Sequence, residues 1–123
     1  MREYLIQLEK KTIAGTKTTA INFKETLATT RQCIKEISSI IDDNESLALL
    51  SVIDTELDRG EKDVSTIIET LNEMEADIDT ASDINFMFIS TIATLQMNKF
   101  NTAVENGLAV LNTLNALKVH PVQ

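Results

Sequence analysis

The sequence predicts an all-α fold, a long antiparallel three-helix bundle in up-down-up order, on three observations. The first is spacing: apolar or small residues recur at alternating intervals of three and four along three long segments, the rhythm that places them on one stripe of a helix. The second is composition, with only three Gly and one Pro to interrupt the chain and no strand-forming alternation. The third is the presence of just two polar breaks, at residues 42–44 and 79–83, which are too short for anything but tight connections between antiparallel neighbours.

The first segment carries Ile13, Thr16, Ala20, Phe23, Leu27, Thr30, Ile34, Ile37 and Ile41 on its stripe. It is expected as a helix over about residues 2–41, disturbed near Gly15, where a glycine costs about 1 kcal/mol relative to alanine. Asp42-Asp43-Asn44 then offers a turn and a helix cap, with Glu45 suited to the positive end of the next helix dipole. The second helix is expected over about 45–76, with Leu50, Ile53, Leu57, Gly60, Val64, Ile67, Leu71, Met74 and Ile78 in phase. Arg59-Gly60 is the one place where it invites a break, but the phase runs unbroken through it. The third helix is expected over about 84–119, on Phe86, Ile89, Ala93, Gln96, Phe100, Ala103, Gly107, Val110, Leu114 and Leu117, and stops before Pro121. Residues 1–123 read as a single domain, long enough to bury a core without a disulfide or a metal.

Charge is divided sharply among the helices. Residues 1–41 hold seven Lys or Arg against four acids, residues 42–83 two against fourteen, and residues 84–123 two against one. The first helix is therefore basic, the second strongly acidic and the third almost uncharged. Beyond its seam the third helix also offers Phe88, Ile92, Leu95, Val104, Leu108 and Leu111, a wider apolar arc than one neighbour covers. That surplus points to association, with assembly of copies into a larger helical bundle as the first expectation. On the second helix, Glu69, Glu73 and Asp77 recur every four residues, and Lys24, Arg31 and Lys35 on the first helix are the bases available to relieve them.

Catalytic chemistry finds little support. His120 is the only histidine and sits beside Pro121 near the chain end, so no histidine–thiol or zinc set can assemble. Cys33 stands next to seam residue Ile34 and reads as a small packing residue; being alone, it forms no internal disulfide and suits a reducing compartment. Asp54 to Ser65 places acids at the first, third and fifth positions of a calcium loop. However, Arg59 stands where that loop needs glycine and Ser65 where it needs glutamate. No Glu-x-x-His pair offers a di-iron site, no glycine-rich loop a phosphate site, and the acidic segment repels nucleic acid. The most apolar run, Phe86 to Leu95, falls well short of the roughly 20 residues of a membrane span, and the first residues lack a secretory core.

The expected function is a non-enzymatic, cytoplasmic protein–protein interaction module: an oligomeric helical-bundle adaptor, scaffold or inhibitor, without cofactor, metal, nucleic acid or membrane. Its expected contact residues are Phe88, Ile92, Leu95, Leu108 and Leu111 on the third helix. Asp54, Asp58, Glu69, Glu73 and Asp77 on the second would add electrostatic selectivity. The alternative is a small acidic export or assembly chaperone that holds an amphipathic helix of its partner.

Overall fold

A computed structural model of the protein describes residues 2–119, with side chains through residue 116; His120 and the stop before Pro121 lie outside the described residues. Three helices, α1 (Arg2–Ser38), α2 (Asn44–Asp77) and α3 (Asp83–Val119), form an antiparallel bundle, with a single 3-10 turn, Ile78–Thr80, after α2. Each helix of 34 to 37 residues is a rod of about 50–55 Å. The surface of 8071 Å² exceeds the roughly 6,600 Å² of a compact monomer of this mass, as a slender bundle requires.

The caps follow the local chemistry. The Asp43 carboxylate accepts hydrogen bonds from the backbone N–H of Ser46 at 3.1 Å and from its hydroxyl at 2.6 Å, satisfying a donor that the first turn of α2 leaves free. At the start of α3 the Ser82 hydroxyl accepts from the Asn85 N–H at 3.2 Å. The threonines scattered along all three helices, Thr26, Thr66, Thr94 and Thr102 among them, donate their hydroxyls to carbonyls four residues back. A residue with mediocre helix propensity is thereby accommodated without an unsatisfied polar group.

Two expectations from the sequence are corrected. The first helix ends at Ser38 rather than near residue 41, because the Ser39 N–H bonds both the Lys35 and Glu36 carbonyls and the Ile40 N–H that of Ile37, tightening the last turn. It is also undisturbed at Gly15, which lies on the exposed face where nothing packs against it. α2 likewise runs straight through Gly60, so the calcium-like segment Asp54 to Ser65 is helix throughout.

The core follows the heptads. Ile13, Ala20, Leu27 and Ile34 are buried on α1, and Leu50, Leu57, Val64, Leu71 and Ile78 along α2 and the turn after it. The buried residues form two clusters. One, around Ile13, Ala20, Val64, Leu71 and Phe100, fills the half near the start of α1. The other, around Leu27, Ile34, Leu50, Leu57 and Leu114, fills the opposite half. Phe23 packs against both, its ring set edge-on to Phe100 with centroids 5.9 Å apart and planes at 84°. It reaches this position because α3 has no side chain at Gly107: a Cβ there would stand 2.7 Å from Phe23 Cζ. At Gly60 a Cβ would stand 3.2 Å from the movable Leu27 Cδ1, a far milder conflict.

These contacts separate the glycines by experiment. Gly107→Ala should lower stability to urea or heat by about 1–3 kcal/mol, because the Phe23 ring is wedged against Phe100 and cannot retreat. Gly15→Ala, with open space around its Cβ, should raise stability by up to about 1 kcal/mol through helix propensity. Equal shifts for the two substitutions would remove Gly107 as the seat of Phe23.

Candidate interaction surface

α2 presents one acidic flank to α1, and α1 answers it with bases. Arg31 is the centre of this contact: its Nε and Nη2 hold both oxygens of Asp54, at 3.0 and 3.3 Å, while its Nη1 reaches Asp58 at 3.0 Å and Glu61 at 2.6 Å. Hydrogen bonds to Asp54 first, then to Glu61, push the guanidinium above its ordinary pKa. Nearer the start of α1, Lys17 pairs with Glu75 at 2.9 Å and Lys10 with Asp79 at 3.2 Å. Arg2 bridges to Asp83 at 3.1 Å and donates to the Ala81 carbonyl, tying the first turn of α1 to the first turn of α3.

This changes the place of two expected contact residues. Asp54 and Asp58 are partners of Arg31 within the chain and do not stand free on an outer face. The antiparallel alignment sets Arg31 opposite the first half of α2, far from Glu69, Glu73 and Asp77, so the expected relief of those three by Lys24, Arg31 and Lys35 does not form. Glu69, Glu73 and Asp77 are exposed and make no ion pair among the described residues. Glu61 was not singled out by the sequence, although its position three residues beyond Asp58 on the same side is readable from the heptad phase. Cys33 is exposed, not packed, since it lies one residue off the seam.

The five apolar residues expected on the third helix divide between two flanks. Phe88 is 61% exposed and Leu95 49%. Ile92, half-buried, sits one turn from each on the α2 side. Ile84 and Met87, 68% and 69% exposed, extend this surface to the start of the helix. Leu108, 52% exposed, follows Phe88 by 20 residues, about 200° around the helix. It lies three turns beyond Met97, which lines the furrow between α1 and α3. Leu111 is half-buried against the second core cluster.

Along its α2–α3 face the bundle has a discontinuous cleft, with one hollow at the Phe88 end and a second, sharing no lining residue with it, from the middle onward. At the Phe88 end it is bounded by Asp77, Thr80, Asn85 and Phe88 over a floor of Ala81 and Ile89. Its middle, about 520 Å³, lies between Asp63, Thr66 and Thr70 on α2 and Lys99, Thr102 and Asn106 on α3, with buried Gln96 at its edge. It continues past Glu56 and Arg59 to Val110. Among the described residues no group of three or more His, Cys, Asp or Glu side chains is arranged to hold a metal ion, and no helix is long and apolar enough to cross a membrane. The cleft is shallow and lined by hydroxyls, amides and apolar atoms. The chain matches no protein-family model, and no curated protein or solved structure is measurably similar to it.

Removing the Arg31 side chain leaves Asp54, Asp58 and Glu61 facing one another without a counter-charge. Arg31→Met should therefore cost about 1–3 kcal/mol in urea unfolding, and Arg31→Lys should recover only part, because an ammonium cannot bridge three carboxylates in a fixed fork. Full recovery by lysine would show that charge alone matters.

Two carboxylates respond to pH with opposite sign. Asp58 is held below its ordinary pKa, chiefly by the hydrogen bond from Lys62, so its stabilisation exists above the usual carboxylate range and is lost as pH falls through it. Glu9, half-buried beside α3, is pushed up by burial, partly offset by a hydrogen bond with Ser90. The folded state therefore favours its protonated form, and stability is lost as pH rises through its pKa. Glu9→Gln should consequently stabilise the protein at about pH 7 and have little effect at about pH 3, as thermal unfolding at the two values would show.

Proposed function

We propose that the protein is a non-enzymatic protein–protein interaction module of the cytoplasm, and that the outer surface of α3, with the cleft beside it, receives a helix of its partner. The observation that carries this reading is the group of large apolar side chains, Ile84, Met87, Phe88 and Leu95, exposed along three turns of a helix that holds almost no charge. Their fractional exposures run from 49% for Leu95 to 69% for Met87, and apolar side chains grouped and open in this way mark interaction surfaces. Packing on that surface would follow the heptad geometry of a coiled coil.

The sequence favours contact between copies, as a homo-oligomeric scaffold. Two features of the surface favour a different protein instead, and with it the small acidic chaperone or adaptor. The apolar residues are split between two flanks of α3, so no single stripe of the length a self-complementary helix pair needs is present. The stripe that exists is bordered by Asp77, and by Glu73 one turn away, and two copies meeting there would bring these carboxylates together.

Light scattering coupled to gel filtration, run well below and well above micromolar concentration, tests this. The expected result is the single-chain mass of 13.7 kDa throughout, with Phe88→Asp and Leu95→Asp changing neither mass nor thermal stability by a measurable amount. A dimer that these substitutions dissolve would establish the scaffold reading in its place.

A further inference from the structure

We propose that the α2–α3 cleft binds an amphipathic helix from another protein whose apolar stripe is flanked by lysine or arginine. The inference rests on the interaction reading above and names the chemistry of the partner. The molecule contains its own precedent. The flank of α2 that faces α1 carries Asp54, Asp58, Glu61 and Glu75, and it is covered by a basic amphipathic helix whose Arg31 and Lys17 reach those carboxylates. The opposite flank carries Glu56, Asp63 and Asp77 on the cleft wall, with Glu73 on the same side by its seven-residue spacing from Thr66. Here α3 supplies a single base, Lys99, and makes no ion pair with α2 among the described residues. Glu56 is met by Arg59 at 3.5 Å; Asp63, Glu73 and Asp77 have no cationic partner among the described residues.

Shape and floor agree with charge. From Asp77 to Glu56 the hollows along this face cover 22 residues of α2, about 30 Å, the length of a six-turn helix. Its floor is apolar, formed by Ala81, Ile89, Ile67, Ala103, Leu57 and Val110, and Phe88 extends that apolar wall at one end. A helix seated there buries a leucine stripe below and brings its flanking cations to the acidic rim. A second copy of this chain offers a poorer match. The seam of α1 is already buried, and the apolar residues it leaves exposed, Tyr4, Leu5, Leu8 and Ile21, stand among Glu3, Glu9 and Glu25 as well as Arg2 and Lys11. α2 is acidic, and α3 is almost uncharged.

The test uses the full chain and three fluorescently labelled synthetic helices of equal length and identical leucine stripe, flanked by lysine, glutamine or glutamate, read by anisotropy. The lysine helix should bind, weaken as salt is added, and lose at least about tenfold in affinity when Asp63→Lys and Asp77→Lys are combined; the glutamate helix should not bind. If the charge reversals perturb the melting curve, Asp63→Asn with Asp77→Asn should still weaken binding by about threefold. Equal binding of the lysine and glutamine helices, both abolished by Phe88→Asp with Leu95→Asp, would overturn the charge selectivity while leaving the interaction reading intact. Binding of none of the three would overturn the proposal, and a homodimer dissolved by the Phe88 and Leu95 substitutions would assign the cleft to a second copy.

Discussion

A helix in a three-helix bundle can bury only the arc its two neighbours cover, and the character of this protein follows from how each helix is matched to that limit. The main apolar stripes of α1 and α2 are buried by the bundle, Ile13, Ala20, Leu27 and Ile34 against Leu50, Leu57, Val64 and Leu71, with Leu5, Leu8 and Val52 among those left outside. α3 carries more apolar surface than the limit allows. Ile89, Ala93, Phe100 and Leu114 go inward, and Phe88, Leu95 and Leu108 stay outside. At roughly 1.5–3 kcal/mol for each large side chain fully buried, that surplus is what the proposed association would draw on.

Charge obeys the same arithmetic of faces. α2 has acids on both sides of its stripe, and α1 has bases enough for one. Arg31 draws three carboxylates to a single guanidinium, so that pairing and register of the first two helices are set by a polar contact at the edge of an apolar seam. Taken one at a time, half-buried pairs such as these stabilise modestly. Their consequence here is selective, since the side of α2 nearest Arg31 is closed by α1 and the side facing α3 keeps its carboxylates in solvent. The open flank and Phe88 border the same cleft, the coincidence on which the proposed docking of a basic amphipathic helix rests.

Phe23 supplies the third constraint. Among the described residues it is the side chain that packs on both core clusters, and it stands between α1 and α3 because Gly107 gives it room. A ring at this position bridges those two parallel helices over Gly107, as the Leu27 side chain packs over Gly60 between α1 and α2.

Much of the fold was legible in the sequence because heptad spacing is a one-dimensional record of a one-stripe contact: the helices, their order and nearly every buried residue follow from it. Helix ends were readable to within three residues, with Ser38 rather than residue 41 closing α1 because the last turn tightens. The candidate surface was legible only in part. Phe88, Ile92 and Leu95 could be named from the width of the apolar arc, and the acids of α2 from their spacing. Which acids meet Arg31, and that Leu108 faces a different direction from Phe88, depend on the relative register and rotation of helices distant in sequence. Composition and periodicity determined by themselves that this chain makes long amphipathic helices, that one is basic and one acidic, and that the third is too apolar for its place. Only the tertiary structure decided which flank of the acidic helix is satisfied within the chain and which is left open, because that depends on the side on which α1 packs, and each residue's local pattern is the same in either arrangement.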